Sequence, residues 1–163
     1  MKIWISIILF SLSLVNADAF TFDQASPIRQ GVHVEWYRTV APSLDGSAIF
    51  VWSDTRYGVR NVFAHKIDKN GNFTWGDNGA VITNLPGRQE DPVAIEDGNG
   101  GAFIAWVDYR FDDSGDIFIQ HVNESGAIQM DPNGIALAQQ QGTQISINTV
   151  SYTHLTLPTR DDV

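Results

Sequence analysis

An all-β chain made of tandem four-stranded antiparallel units is the fold class this sequence predicts, and three observations carry that reading. First, the chain repeats itself. Ala48-Ile49-Phe50-Val51-Trp52-Ser53-Asp54-Thr55-Arg56 is answered by Ala102-Phe103-Ile104-Ala105-Trp106-Val107-Asp108-Tyr109-Arg110 at an offset of 54, and self-similarity at such a period marks a repeat architecture. Second, turn dipeptides such as Asp45-Gly46, Asn70-Gly71, Asp97-Gly98 and Gly100-Gly101 recur at the spacing of short strands joined by hairpins. Third, residues 20–149 show no apolar stripe returning every three or four positions, the signature an amphipathic helix needs. With 163 residues, 43% hydrophobic and 18% charged, the chain is rich enough in apolar residues to form a core.

The first element, residues 1–19, carries one basic residue, Lys2, then a polar-poor run from Ile3 to Val15 and small residues at Ala17 and Ala19. This is the layout of a secretory signal peptide, with an apolar run too short to span a bilayer comfortably. Cleavage after Ala17 or after Ala19 satisfies the small-x-small rule, so the mature chain is expected to begin at Asp18 or Phe20. The expected location is secreted, periplasmic or at the cell surface, with no membrane span in the mature chain. Cysteine is absent, so stability in an oxidising compartment must come from core packing. The same absence excludes a disulfide scaffold, a zinc knuckle, an iron–sulfur site and a thiol nucleophile. Ten Lys and Arg against nineteen Asp and Glu give a net charge of -9, which argues against nucleic acid and other polyanions as partners.

The first repeat occupies residues 20–87 including a lead-in, and the second 88–143. Within them Asn61-Val62-Phe63-Ala64-His65 matches Asp116-Ile117-Phe118-Ile119-Gln120 at an offset of 55, and the register holds through Gly79 and Gly134. Arg29-Gln30 answers Arg88-Gln89, and Gln144 opens a third copy over residues 144–149. In each copy the segment Ala48–Trp52 or Ala102–Trp106 is apolar at five successive positions, which predicts a strand covered on both faces. The next strand, Val62 to Ile67, begins to alternate, as a strand nearer the rim would. Four short strands per unit, with the inner ones sandwiched, describe a β-propeller blade, so about two blades of an incomplete propeller are expected. An open sandwich built from a duplicated meander is the other arrangement this pattern allows.

Along an extended strand every second side chain shares a face, so Trp52, Asp54 and Arg56 project together, as do Trp106, Asp108 and Arg110. A fork-shaped guanidinium suits a carboxylate, and a constellation present in both copies reads as structural rather than catalytic, with a substrate-binding Arg as the other reading. No catalytic residue is assigned. His65 and His121 lie one position out of register, which sends them to opposite faces, and no Gly-x-Ser-x-Gly elbow is present. No cofactor or metal is assigned either. The acidic segments Glu96–Gly100 and Asp112–Asp116 offer calcium-type oxygen ligands, but they have turn composition and lack the spacing of a helix-loop-helix calcium loop. Asn72-Phe73-Thr74 and Asn123-Glu124-Ser125 match the N-glycosylation pattern, which matters only in a eukaryotic host.

The run Asp97-Gly98-Asn99-Gly100-Gly101-Ala102-Phe103-Ile104-Ala105-Trp106-Val107-Asp108-Tyr109-Arg110, with Asp116-Ile117-Phe118-Ile119-Gln120-His121-Val122 after it, resembles a family of secreted bacterial proteins. Their tandem repeats follow DGxGGAxxAWxDxR and then DIYAQxVDxNGxxxW. Asp68 to Trp75 supplies the last part of that pattern, while the second copy departs from it with Asn123 for Asp and Met130 for Trp. The resemblance implies a β-propeller, commonly followed by a sorting domain that attaches or releases the protein at the cell surface. The sialidase Asp box fits less well, because Gly71 stands one residue too far from Trp75 and Asp68 one too far from Gly71. At the other end, Val150 to Thr159 is similar, codon by codon, to one reading frame of a transposase-type sequencing-library adapter. Residues 150–163 are therefore expected to be adapter-derived, and His154 carries no functional argument. The expected function is a non-enzymatic surface or extracellular module that binds a protein or glycan. A fragment of a propeller glycoside hydrolase or lyase acting on extracellular polysaccharide is the alternative.

Overall fold

The computed structural model describes residues 35–139. The expected signal peptide (1–19), the lead-in as far as 34, the end of the second repeat (140–143), the start of a third (144–149) and the adapter-like tail (150–163) lie outside the described residues. Eight strands follow in chain order: β1 Glu35–Pro42, β2 Ala48–Asp54, β3 Asn61–Ile67, β4 Ala80–Val81, β5 Gln89–Glu96, β6 Ala102–Asp108, β7 Asp116–Val122 and β8 Ile135–Ala138. They form two antiparallel four-stranded sheets with orders β1-β2-β3-β4 and β5-β6-β7-β8. The described residues contain no helix, and therefore none long and apolar enough to cross a membrane.

The repeated sequence produces matching registers. β2 pairs with β3 from Ala48↔Ile67 to Asp54↔Asn61, and β6 with β7 from Ala102↔Val122 to Asp108↔Asp116. β1 shifts register between Trp36 and Thr39, and β5 between Glu90 and Val93, bulges that bend the leading strand of each sheet. In β5 the bulge holds Asp91 at φ 48°, a conformation uncommon outside glycine. The Asn70-Gly71 turn closes only a single bridge, Ile67↔Phe73. The fourth strand forms later, after Gly79, and its counterpart follows Gly134. A Cβ on Gly134 would lie 2.6 Å from the Trp106 ring, so the ring reaches across to the turn that launches β8.

Alternation assigns the side chains to two faces. One, the tryptophan face, holds Phe50, Trp52 and Asp54 in the first sheet and Ile104, Trp106 and Asp108 in the second. The core lies between unlike faces. Ala41, Ile49, Val51, Val62 and Ala64, from the far face of the first sheet, meet Ala94, Ile104, Trp106, Phe118 and Val122, from the tryptophan face of the second. Each large apolar side chain buried there contributes roughly 1.5–3 kcal/mol. Trp75 fastens the two sheets: its Nε1 donates to the Glu124 carbonyl at 2.8 Å, and a Cβ on Gly126 would sit 2.8 Å from its ring.

The expected alternation of β3 is absent, since Asn61 through Lys66 are all buried. The second sheet covers Val62, Ala64 and Lys66 on one side. On the other, Phe63 lies under the Arg56 guanidinium at 3.8 Å and beside Trp52 and Tyr57, while His65 lies against Phe73. The alternation occurs instead in β7, where Phe118, Gln120 and Val122 are buried and the residues between them are half-buried.

Candidate functional site

The six signature residues gather into two equivalent clusters at the C-terminal ends of β2 and β6. Asp54 is fully buried and accepts from Trp52 Nε1 at 2.9 Å, from the Arg56 backbone N–H at 2.9 Å and from Arg56 Nη2 at 2.6 Å. Asp108 accepts from Trp106 Nε1 at 2.8 Å, from the Arg110 N–H at 2.9 Å and from Arg110 Nη2. Each guanidinium also reaches the turn before the fourth strand, Arg56 donating to the Asn78 carbonyl at 3.0 Å and Arg110 to the Asn133 carbonyl at 2.8 Å. Burial opposes the charge on Asp54, yet the hydrogen bonds from Arg56 and Trp52 and the charge of Arg56 together hold its carboxyl below the usual range. These groups bond to one another beneath the surface, which leaves little of either carboxylate for a ligand.

Exposed polar side chains, among them Asp45, Asn70, Asn99, Glu124 and Ser125, collect with the buried side chains of Lys66 and Asp97 at the opposite end of the strands, where the β1–β2 and β5–β6 turns meet the loops after β3 and β7. In the first sheet Asp45, Lys66, Asp68, Asn70 and Glu124 line a cleft of about 340 Å³. In the second, Asp97, Asn99, His121, Glu124 and Ser125 line one of about 450 Å³. Glu124 borders both, so the clefts are neighbours. Each holds a carboxylate facing a basic group: Asp45 Oδ2 lies 3.7 Å from Lys66 Nζ, and Asp97 Oδ2 lies 2.6 Å from His121 Nε2.

Local turn chemistry sets these carboxylates. Asp45 is lowered by the hydroxyl and N–H of Ser47, aided by Lys66. For Asp97 burial acts upward, and the hydrogen bond to His121 with the N–H groups of Asn99 and Gly101 brings it down. Asp68 is lowered by Asn72 and Asn70. Lys66 donates to the Gly100 carbonyl at 2.9 Å, crossing between the sheets, and His121 stacks on Phe103 at 4.5 Å. As a set the exposed Asp45, Asn70, Asn99, Glu124 and Ser125 side chains offer acceptors for hydroxyl and ammonium donors.

The histidines His65 and His121 are not equivalent; the position of His121 corresponds to Lys66 at an offset of 55. The usable signal was charge type at a shared position. His65, on the other face, is buried with neither ring nitrogen in a completed hydrogen bond. A second unforeseen cluster joins Glu90 to Arg60, with Arg88 Nε at 3.5 Å from the same carboxylate oxygen. Asp91 beside it is raised by burial and by Glu90. Glu90 and Arg60 are thirty positions apart, and only the sheet-to-sheet contact joins them.

The acidic segments behave as turns. Asp97 Oδ1 accepts from the N–H groups of Asn99 and Gly101, and Asp112 Oδ1 from that of Ser114. Among the described residues no three His, Cys, Asp or Glu side chains converge on a common point where a metal could sit. Searches with the chain as query gave no matching protein family, no matching curated protein and no matching solved structure.

Proposed function

We propose that this chain is part of an exported bacterial β-propeller and serves as a non-enzymatic binding module that presents its paired hairpin-end clefts to an extracellular glycan. Consecutive four-stranded meanders stacked through unlike faces are what neighbouring blades require. One observation carries the functional reading. The Asp and Arg of each signature are buried in bonds to each other, whereas the exposed polar side chains of Asp45, Asn70, Asn99 and Ser125 stand together around the exposed Glu124. Carboxylates, amides and hydroxyls in that arrangement accept hydrogen bonds from sugar hydroxyls, and the net charge of -9 turns away polyanions.

The test is a glycan array of neutral oligosaccharides probed with the full chain, with hits measured by titration calorimetry. Glu124→Ala is expected to weaken a hit by about tenfold, the effect of removing a central contact worth more than 1 kcal/mol, and Arg56→Lys to leave it unchanged. Absence of any hit, or capture of only a protein ligand, refutes the glycan reading. Release of new reducing ends from the same oligosaccharides refutes the non-enzymatic one and favours a hydrolase or lyase.

A further inference from the structure

We infer that the chain docks head to tail onto a second copy of itself, the half-covered far face of one copy's second sheet receiving the tryptophan face of the next copy's first sheet. The two sheets differ in burial at equivalent positions. On the far face of the first sheet Ala41, Ile49, Val51, Val62 and Ala64 are buried. Their register equivalents in the second sheet are Ile95, Phe103, Ala105, Ile117 and Ile119, and all except Ala105 are half-buried. The tryptophan faces show the reverse. Ala94, Ala102, Ile104 and Val122 are buried in the second sheet, while the equivalent Ala48, Phe50 and Ile67 are half-buried in the first. Val40 is 48% exposed where its equivalent Ala94 is 6% exposed.

Beside the buried Trp52 and Phe63 of the first sheet and the buried Ala105 and Val107 of the second, the chain therefore displays an apolar half-face on each sheet, equivalent to part of the interface it already builds internally. A second copy carries both halves with the right side chains, and joining them continues an interface that exists. The contact is heterologous, so it closes into a ring or extends into a filament according to the rotation per copy.

Two substitutions between the repeats make the contact between copies weaker than the internal one. The bonds from Trp75 Nε1 to the Glu124 carbonyl and from Lys66 Nζ to the Gly100 carbonyl cross the internal interface. At the equivalent positions of the second repeat stand Met130, which has no N–H donor, and His121. Nine net negative charges on each copy also oppose approach, and salt screens that repulsion. Association is thus reversible and strengthens as salt is raised. It does not rest on glycan binding, which a chain held monomeric by a face variant retains.

Sedimentation velocity of the full chain over a wide concentration range tests this. The mass is expected to rise with concentration, more so at high salt. Val40→Lys and Ile119→Lys each block one face and are expected to be monomeric alone, yet to form a dimer and nothing larger when mixed, because each keeps the face the other lacks. Met130→Trp restores an indole donor aimed at the Lys69 carbonyl of the second copy and should tighten association by about tenfold, the effect of one added hydrogen bond. That gain cannot come from misfolding. A wild-type chain that stays monomeric throughout overturns the inference. So does a lone variant that still dimerises, or a mixture that fails to dimerise while both variants keep the wild-type near-ultraviolet circular dichroism.

Discussion

Replacing Asp54 by Ala removes the acceptor for the Trp52 indole, the Arg56 N–H and two guanidinium nitrogens, Nε at 3.0 Å and Nη2 at 2.6 Å. The Arg56 side chain is only 10% exposed, so its charge stays in poorly hydrated surroundings with the Asn78 carbonyl and the Phe63 and Trp52 rings beside it. Stripping one member from a buried ion pair costs about 3–5 kcal/mol, a large part of the roughly 5–15 kcal/mol that holds a domain together. Urea unfolding followed by tryptophan fluorescence reads the loss directly. The double variant Asp54→Leu with Arg56→Met removes both charges and should lose less than the single one, since no charge is left stranded. Asp108→Ala is expected to destabilise in the same direction, its carboxylate accepting from the Trp106 indole, the Arg110 N–H and Arg110 Nη2 but, unlike Asp54, not from the guanidinium Nε. A loss below about 1 kcal/mol for Asp54→Ala, the scale of an exposed pair, refutes the reasoning. The pH dependence has a fixed sign. The carboxyl titrates lower when folded than when unfolded, so its contribution is intact above the ordinary carboxylate pKa and fades as pH falls through the lowered folded value. Asp54→Ala should flatten that acid limb.

Two further outcomes follow from the packing and from His65. Trp75→Ala should destabilise the chain by about 3–5 kcal/mol in urea, and Met130→Ala by much less, because Trp75 lies between the sheets and Met130 is half-buried; equal losses would deny that Trp75 fastens the second sheet to the first. Burial lowers the His65 pKa, with the Gly76 and Lys66 backbones and Asp77 acting weakly the other way. The unfolded chain then takes up the proton first, so stability is full above about pH 6.5 and declines as pH drops toward the lowered folded value. His65→Gln, which copies Gln120 at the equivalent position, should flatten that slope in urea midpoints measured across the range; an unchanged slope would assign it to another group.

Strand-level structure was legible because its causes are local. The apolar runs at Ala48–Trp52 and Ala102–Trp106 became β2 and β6, and the Asp-Gly and Gly-Gly pairs became the turns before them. The signature bonds were legible for the same reason, since Asp54 and Arg56 are two residues apart on one strand. The alternation expected of β3 fails because both its sides are covered, one by the second sheet and the other by Arg56, Tyr57 and Phe73, and neither covering is written in the strand's own pattern. The Asn70-Gly71 turn is present, but its pairing stops at one bridge, because the chain turns away to seat Trp75 against Gly126.

Periodicity and turn residues alone determined that the described chain is two strand-rich units with a bonded Trp-Asp-Arg cluster in each. Stacking of one sheet's far face on the next sheet's tryptophan face was a tertiary outcome, and with it came the clefts around Glu124, the Glu90–Arg60 pair and the two half-covered faces. Hydrogen bonds within a hairpin join residues close in the chain, so spacing reveals them. Contacts between sheets join residues thirty or fifty positions apart, as Lys66 meets Gly100 and Trp75 meets Glu124, and only the burial of apolar surface on both sides selects which of them meet.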